Sequence, residues 1–238
     1  MANAKSAYEV FKQTLKVDGL DFGYTVPVKD HFFYFKDRLE GMRFDAIAFG
    51  LQKRTEELLC EWIENGVRAT GIGHLVMSGG VSQNIKANKL IWELDAVKTL
   101  TIPPGPGDES ISIGAAGCLL NSVGEKRKAV QIPNAYFGIS YSSEAVNVSL
   151  ESYKSSKDFQ VQSFDLDVVA DLLANGGILA RFDPKSMEFG ARALGNRSII
   201  ADPRNPQVIH SINKSVKMRD FWMPFTPTIL KNKAKNII

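Results

Sequence analysis

The sequence predicts an α/β protein, because it contains two alternations of strands and helices and has an ordinary globular composition. In the first alternation, an apolar strand at 74–77 precedes a helix at 83–94, a strand at 99–102 and a helix at 110–120. A second alternation follows after residue 155. Hydrophobic residues make up 44% and charged residues 23% of the 238 residues. A chain of this length can form two modest domains.

Composition excludes two classes of protein and predicts two buried thiols. No apolar run approaches the roughly 20 residues that a membrane-spanning helix needs. The N-terminal residues MANAKSAYEVFKQ lack the apolar core of a secretory signal. We therefore expect a cytoplasmic protein that does not bind membranes. Cys60 and Cys118 lie in apolar helical patterns, which predicts that both thiols are buried.

The first half of the chain is predicted to form most of one domain, at 1–125. A helix is expected at 6–15, and the other residues before 45 give no clear pattern. An apolar stripe with helical spacing then predicts a helix that ends near Gly66 and Gly71, and the stripe consists of Leu51, Thr55, Leu58, Leu59 and Trp62. The helix at 110–120 carries Gly114 and Gly117, whose small size allows close packing against a neighbouring element.

Residues 126–155 are rich in Ser, Lys and Asn and are predicted to connect the first domain to a second one at 156–238. Asp165 is suited to cap a helix that runs to Ala174 and ends at the sequence Asn-Gly-Gly. Asn205-Pro206 begins another helix, with Ile209, Ile212 and Val216 on one face. Strands are predicted at 159–164, 178–182, 198–201 and 225–230.

The C-terminal third of the chain is basic. Residues 181–235 contain eleven Lys or Arg and four Asp or Glu, whereas the whole chain has a formal net charge of +3. Such a region binds either small anions or nucleic acid. Nucleic-acid surfaces add exposed aromatic rings, and we interpret the aromatic residues here as core, which favours a small anion. These residues are Phe182, Phe189, Phe221, Trp222 and Phe225.

The most informative stretch is EFGARALGNRSIIADP at 188–203. It places Arg192 and Arg197 around two glycines, with Arg181 upstream and Arg204 downstream. A guanidinium offers a fork of donors that matches phosphate or carboxylate oxygens, and glycine lets the backbone turn tightly beside a ligand. The pattern predicts an oxyanion pocket. The alternative is an exposed basic loop, in which Arg204 pairs with Asp202 in a turn and Glu188 holds an arginine.

A glycine pair gives the first domain its own candidate anion site. The sequence SGGVSQN at 78–84 follows a strand and leads into a helix, so amides at the helix start can hold a phosphate. A plain tight turn is the alternative. The segment PPGPGDES then brings Asp108 to the start of the next helix.

These motifs carry a resemblance to a known family. EFGARALGNRSIIADPR at 188–204 and INKSVKMRDFWMPFTPTIL at 212–230 resemble the C-terminal domain of the NodU/CmcH/TobZ-type carbamoyltransferases. SGGVSQN and PPGPGDESISIGAAG resemble two segments of that family's N-terminal domain, which is similar to actin- and sugar-kinase-like (ASKHA) proteins. The chain departs from the family at Ala191, where Pro is usual, and at Met223, where Arg is usual.

The resemblance implies a fragment: the second half of an ASKHA-like transfer domain, followed by the first part of a YrdC-like domain. The complete protein would be an ATP-dependent O-carbamoyltransferase. It would convert carbamoyl phosphate and ATP to carbamoyl-adenylate and transfer the carbamoyl group to a hydroxyl of a sugar or antibiotic-like acceptor. The fragment alone can lack activity. The oligomeric state is left open, and a homodimer is one form that the sequence allows.

The resemblance also assigns roles to residues. Arg192, Arg197 and Arg181 would be catalytic. Gly79, Gly80 and Asn84 would contact nucleotide phosphate, and Asp108 would bind a divalent metal, Fe or Mg, in the complete protein. The His-rich motif that supplies the family's other metal ligands is absent, because the only histidines are His31, His74 and His210. The remaining substrate-binding candidates are Ser198, Lys214, Arg204 and Arg219.

Two alternatives belong to other functional classes. One is a nucleic-acid-binding module, since relatives of the YrdC domain act with tRNA, and it predicts a steep salt dependence of binding. The other is a non-catalytic actin-like protein that binds nucleotide through the glycine pair and ignores carbamoyl phosphate. The extended arginine motif would be superfluous in the second alternative.

Overall fold

The structure is a computed structural model that describes residues 2–124, 134–158 and 160–234. The chain divides into two units, Met1–Gln131 and Ile132–Ile238. Both units mix helices with small sheets, so the predicted α/β class is confirmed at this level. None of the described helices is long and apolar enough to cross a membrane.

Within residues 2–124, the first unit contains five α-helices, four strands and two 3-10 helices. In chain order these are α1 (Ala2–Lys12), β1 (Leu15–Asp18), β2 (Asp21–Tyr24), α2 (His31–Leu39), α3 (Phe44–Thr70), β3 (His74–Val76), a 3-10 helix (Gly80–Gln83), α4 (Ile85–Trp92), β4 (Thr99–Thr101), a 3-10 helix (Asp108–Ser110) and α5 (Ile111–Ser122).

Helix α3 is the longest element, and its C-terminal half forms the main core of the first unit. Leu58, Leu59 and Ile63 are buried, whereas Leu51 at the start of the predicted stripe is exposed. The helix ends at Gly71, which adopts φ 71° and donates its N–H to the Val67 carbonyl. A left-handed residue at this position favours glycine, as the sequence indicates.

Helix α1 packs against α3 at very short range. A Cβ added to Gly50 of α3 would lie 2.7 Å from the backbone N of Tyr8, so only glycine fits there. The Tyr8 hydroxyl donates to the Glu57 carboxylate at 2.7 Å. This hydrogen bond, together with burial, raises the pKa of Tyr8 to about 12. Close backbone contact and the Tyr8–Glu57 hydrogen bond therefore hold α1 against α3.

Strands β3 and β4 pair in parallel, with Leu75 opposite Leu100. Side chains alternate between the two faces of a strand, and the inward face of this pair joins a core that α3 and α4 complete. The buried members of that core are Leu59, Ile63, Met77, Ala87 and Ile91. Cys60 packs against this cluster, whereas Cys118 of α5 is exposed, so the predicted burial of Cys118 is wrong. No described element covers α5.

The second unit contains α6 (Ser143–Lys154), α7 (Leu166–Ala174), β5 (Ile178–Phe182), β6 (Arg197–Ala201), α8 (Pro206–Ser211) and a π-helix (Ile212–Lys217). Two predicted caps are confirmed. The Asp165 carboxylate accepts the N–H groups of Asp167 and Val168 at the start of α7, and Asn205 caps α8 with Pro206 in its first turn. Strands β5 and β6 are antiparallel, with Ala180 opposite Ile199.

Two predicted strands are absent from the described residues. Residues 160–164 and 225–230 belong to no sheet, and Phe159 lies outside the described residues. Apolar and β-branched residues form a strand only where a partner strand accepts their backbone hydrogen bonds. No such partner is described for either segment.

Two further predictions need correction. The helix after Asn205 changes from α to π geometry at Ile212, which shifts its apolar face. Val208 and Ile212 are buried, whereas Ile209 and Val216 are exposed. The aromatic residues interpreted as core are also mostly on the surface. Phe182, Phe221, Trp222 and Phe225 are exposed, and Phe189 is half-buried.

Candidate functional site

The arginine-rich stretch at 188–203 forms the second part of the loop between β5 and β6, and then β6 itself. Because the two strands pair antiparallel, Arg181 lies opposite Ser198, and Phe182 lies opposite Arg197. Opposed residues share one face of a sheet, and neighbours along a strand alternate. Arg181 and Ser198 therefore share one face of the hairpin, and Arg197 lies on the other.

Glu188 organises this loop. Glu188 is buried, with only 6% of its surface exposed to solvent. Carboxylate oxygen Oε1 accepts three backbone N–H groups, from Leu194 at 3.0 Å, Asn196 at 2.7 Å and Arg197 at 2.9 Å. Burial alone would raise the pKa of Glu188, but these backbone hydrogen bonds lower it to about 2. Glu188 is thus an ionised anchor for the loop, and it holds the main chain of Arg197 rather than a guanidinium.

Gly195 lets the loop close around this anchor. It adopts φ 112°, a conformation that side chains other than glycine rarely tolerate. Its N–H donates to the Ser198 Oγ at 3.0 Å, and its carbonyl accepts a hydrogen bond from the Arg181 guanidinium. The Ser198 hydroxyl acts here as an acceptor, so its own proton remains available to donate.

Two of the candidate arginines are held by neighbouring groups. Besides Gly195, the Arg181 guanidinium contacts the Asp183 carboxylate at 3.2 Å. The Arg204 guanidinium donates hydrogen bonds to the Asp202 carboxylate, with Nε at 2.9 Å from Oδ2 and 3.0 Å from Oδ1. The side-chain hydrogen bond to Arg204 lowers the pKa of Asp202. The Arg181–Asp183 pair lies at the start of the loop, whereas the Arg204–Asp202 pair lies in the turn after β6, at the other end of the hairpin. Both guanidinium groups are partly occupied.

Arg219 is held in a similar way by Asn213. Asn213 is 1% exposed, and its Oδ1 accepts the Arg219 Nε–H at 2.6 Å. The Asn213 amide donates to the carbonyls of Phe221 and Met223 at 3.2 and 3.1 Å. The guanidinium also lies 4.5 Å from the centroid of the Phe225 ring. Sequence reasoning missed Asn213, although a polar amide inside an apolar helix face was a signal for it.

Of the six candidate cations among the described residues, three remain available to a ligand. Arg192 and Lys214 are exposed, and within the described ranges neither side chain has a hydrogen-bond or ion-pair partner. The Arg197 guanidinium has one weak contact, with the Met187 sulfur at 3.8 Å. The predicted arginines therefore separate into free groups and structural groups, which the sequence did not distinguish.

In the first unit, the structure brings the two predicted motif segments together. The Gly79 N–H donates to the Pro106 carbonyl at 2.7 Å, and the Ser78 hydroxyl donates to the same oxygen at 3.1 Å. Gly79 adopts φ 101°, and a Cβ added at Gly79 or Gly80 would meet nothing within 4 Å. The turn is open to its surroundings, but the Gly79 amide is already used inside the fold.

Both the nitrogen and the oxygen of the Asn84 side-chain amide have hydrogen-bond partners. Its Nδ2 donates to Gln52 Oε1 at 2.9 Å, and its Oδ1 accepts from Gln52 Nε2 at 3.0 Å. The same Oδ1 caps α4 by accepting the Ala87 N–H at 3.1 Å. In this structure Asn84 ties α4 to α3.

Asp108 does not belong to a metal-ligand cluster. It is exposed at the start of its 3-10 helix. The described parts of the chain contain no group of three or more His, Cys, Asp and Glu side chains that could hold a metal ion. His74 contacts the Thr99 hydroxyl at 3.0 Å through Nδ1. The side chains that the structure describes around Asp108 therefore do not fit a metal site by themselves.

Comparison with known proteins agrees with the position of these motifs. The family described as carbamoyltransferase N-terminus matches residues 9–117, and the family described as carbamoyltransferase C-terminus matches residues 170–238. The chain belongs to the carbamoyltransferase family. The glycine-pair turn and Asp108 fall in the first matched region, and the Glu188 loop falls in the second.

Individual proteins are similar to this chain at about 30% identity. The uncharacterized protein MJ1058 of Methanocaldococcus jannaschii is 30% identical over 98% of this chain. Nodulation protein NolO of Bradyrhizobium diazoefficiens is 30% identical over 83% of it, and nodulation protein U of Sinorhizobium fredii is 28% identical over 76%. The chain spans only 38%, 37% and 31% of these three relatives.

Proposed function

We propose that this chain carries part of an ATP-dependent O-carbamoyltransferase, and that its β5–β6 loop binds the anions used to activate the carbamoyl group. One observation carries the proposal. In the region that matches the carbamoyltransferase C-terminus, a buried carboxylate fixes a glycine-containing loop. The Arg192 guanidinium on that loop has no partner among the described residues, and that of Arg197 has only a sulfur contact.

The reaction explains the need for free cations. Water would first hydrolyse carbamoyl phosphate to phosphate and carbamate, and carbamate and ATP would then yield carbamoyl-adenylate and pyrophosphate. A carbamate oxygen would attack the α-phosphorus of ATP, and pyrophosphate would leave with the electrons of the broken P–O bond. Both reactants are anions and repel each other, so fixed positive charges lower the barrier by holding them together. The adenylation step needs no general base, because carbamate is already ionised.

The geometry suggests a division of roles. Arg192 and Arg197 would contact phosphate oxygens, Lys214 would add a mobile positive charge, and Ser198 could donate its hydroxyl proton. Arg181 would mainly position the loop, and Arg204 would hold the turn after β6, because each already binds a neighbouring group. The sequence alone did not separate these anion-binding residues from the positioning residues.

We also propose the finer fold assignment. The first unit would be the second half of an ASKHA-like transfer domain, and the second unit would begin a YrdC-like domain. The parallel β3–β4 pair and its open glycine turn support the first assignment, since parallel strands with helical crossovers build such domains. In the complete protein a hydroxyl of a sugar or antibiotic-like acceptor would attack the carbamoyl carbon, and AMP would leave.

The test of this function is pyrophosphate release from ATP in a single turnover at high chain concentration. We expect release only when carbamoyl phosphate is present, and we expect an Arg192→Ala/Arg197→Ala double variant to lose it. Arg204→Ala is the matched control, because that guanidinium is held by Asp202, and it should retain most of the release. Pyrophosphate release that ignores carbamoyl phosphate, or release that the double variant retains, would contradict the proposed function.

The structure favours one second candidate, a nucleic-acid-binding module. Phe221 is 76% exposed and Trp222 is 54% exposed, beside the cations Lys217 and Arg219. Exposed rings next to cations suit base stacking, and the argument against nucleic acid from buried aromatics no longer holds. Single-stranded RNA binding that weakens steeply between low and physiological salt would support this candidate. Binding of ATP that saturates and is insensitive to such RNA would count against it.

A further inference from the structure

A segment that precedes α6 lies along the first part of the β5–β6 loop, within the second unit. Residues 134–141, here called the strap, run antiparallel to residues 184–189, and backbone hydrogen bonds join the two segments at three points. The donors and their carbonyl acceptors are Phe189 with Ala135 at 2.7 Å, Gly138 with Met187 at 3.0 Å, and Tyr141 with Pro184 at 2.7 Å. The strap is therefore bound to the loop along most of its length.

Side-chain packing brings the strap and the loop into close contact. A Cβ added to Gly138 would lie 2.6 Å from the Met187 Cβ and 2.9 Å from the Met187 carbonyl oxygen, so a larger residue would push the two segments apart. Ala135 is buried, and the ring centroids of Phe137 and Phe189 are 5.9 Å apart. These contacts fix the strap on the first part of the loop.

Tyr136 extends the contact of the strap to the arginine-bearing part of the loop. Its hydroxyl donates to the Leu194 carbonyl at 2.9 Å. That carbonyl belongs to the peptide group that joins Leu194 to Gly195, and the N–H of the same group donates to the Ser198 Oγ at 3.0 Å. Both polar ends of one peptide group are therefore held.

This peptide group is the central one between Arg192 and Arg197. A peptide unit is planar and rigid, so holding both of its ends sets the direction in which the chain leaves toward each arginine. The Glu188 carboxylate holds N–H groups of the loop, but an ionised carboxylate only accepts hydrogen bonds and cannot hold a carbonyl. The Tyr136 hydroxyl supplies the donor that the carboxylate lacks.

We propose that Tyr136 is a positioning residue for the β5–β6 loop: its hydroxyl holds the peptide after Leu194 and thereby sets the separation of Arg192 and Arg197. This inference rests on the proposed function of the loop as an anion site. Tyr136 lies outside residues 9–117 and 170–238, which match the carbamoyltransferase family. A loop held in its binding conformation binds more tightly, so loss of the hydroxyl should weaken anion binding although no charge is removed.

The test is calorimetric titration of the full chain with inorganic pyrophosphate, which probes the loop cations without carbamoyl phosphate or turnover. Tyr136→Phe removes the hydroxyl and keeps the ring. Tyr141→Phe is the matched control, because it makes the same change in the same strap. The Tyr141 ring lies 6.0 Å from the Phe182 ring, and its backbone N–H forms its hydrogen bond to the loop. An Arg192→Ala/Arg197→Ala double variant shows whether the probe binds at this loop.

We expect the dissociation constant for pyrophosphate to rise about two- to tenfold in Tyr136→Phe, the range for loss of one neutral hydrogen bond, with the number of sites unchanged. A residue that only stabilised the fold would give another result, because a partly unfolded variant loses sites while the remaining sites keep their affinity. Amide exchange at Gly195 should also accelerate in Tyr136→Phe. Tyr141→Phe should change neither quantity, and the double variant should lose binding.

Each of the opposite results would overturn the proposal. They are unchanged affinity or unchanged Gly195 exchange in Tyr136→Phe, a loss of sites at constant affinity, and equal weakening by Tyr141→Phe. Pyrophosphate binding that is absent from the wild type, or retained by the double variant, would also overturn it, because the loop would then not be the anion site. Failure of the proposed reaction is distinguishable: binding would still respond to Tyr136→Phe, while pyrophosphate release from ATP would ignore carbamoyl phosphate.

Discussion

The Glu188 carboxylate accepts the backbone N–H of Arg197 at 2.9 Å. A buried acidic residue thus fixes the main chain at the position whose guanidinium we propose as an anion ligand. Three N–H donors converge on the same oxygen and stabilise its negative charge. The carboxylate can therefore lie within an anion-binding loop, because its charge is already compensated by the loop it organises.

Replacing Glu188 with Gln should loosen the loop. The variant keeps one oxygen acceptor but loses the charge, and charge-assisted hydrogen bonds are about twice as strong as neutral ones. We expect amide exchange at Leu194, Asn196 and Arg197 to accelerate at least tenfold, which corresponds to about 1.4 kcal/mol of local stability. Glu151→Gln on the exposed face of α6 is the control. Unchanged exchange at the three loop amides would show that Glu188 does not hold them.

Acid should open the same loop within a defined range of pH. The pKa of folded Glu188 is about 2, below its ordinary value of 4.5. A lowered pKa contributes stability that is fully present above the unfolded value and is lost as pH falls toward the folded value. Protection of the Asn196 amide should therefore decline from pH 4.5 to 2 in the wild type. In Glu188→Gln this decline should be absent, and a parallel decline in both proteins would assign the effect to another group.

Gly50→Ala should separate α1 from α3. The new methyl group would lie 2.7 Å from the Tyr8 backbone N and 2.9 Å from the Ala7 carbonyl carbon, and backbone atoms cannot move aside as a flexible side chain can. We expect a loss of about 1–3 kcal/mol in the free energy of unfolding by urea, the range typical of overpacking. Gly66→Ala is the control in the same helix, because nothing lies within 4 Å of its added Cβ. Equal stability of the two variants would contradict the close contact.

Asn213→Ala should release the segment that carries Arg219. It removes two donors and one acceptor from a position that is 1% exposed, and the groups left unpaired cost about 1–3 kcal/mol each. We expect faster amide exchange at Arg219, whose N–H donates to the Asn213 carbonyl, and at Met223. Ser215→Ala, on an exposed position of the same π-helix, should change neither. If both variants behave alike, Asn213 does not hold the segment.

Local signals in the sequence predicted much of the fold because they act over a few residues. Asp165, Asn205 and Gly71 mark helix ends in the structure as expected from their cap chemistry. The predictions of strands at 159–164 and 225–230 were wrong because a strand needs a distant partner strand, which no local pattern reveals. The prediction that the C-terminal aromatic residues are buried was wrong for a related reason, since apolar character alone does not specify what covers a side chain.

The candidate site was predicted at the level of motifs but not of individual roles. The sequence identified the arginines and glycines of the β5–β6 loop. It could not show that Arg181 and Arg204 bind neighbouring groups while Arg192 remains free, because this depends on hydrogen-bond geometry. Asn84 illustrates the same point: its pairing with Gln52 joins residues 32 positions apart.

The central claim is that the free guanidinium groups of the β5–β6 loop bind the activating anions. The measurement that tests it most directly is calorimetric titration of the chain with ATP, Mg²⁺ and carbamoyl phosphate, with Arg192→Ala/Arg197→Ala compared against Arg204→Ala. We predict saturable binding to the wild type that depends on carbamoyl phosphate. The double variant should bind at least tenfold more weakly with unchanged melting temperature, and Arg204→Ala should bind within twofold of the wild type. Equal binding by the wild type and the double variant would contradict the claim and place the nucleotide elsewhere, with the turn at Gly79 and Gly80 as the next site to test.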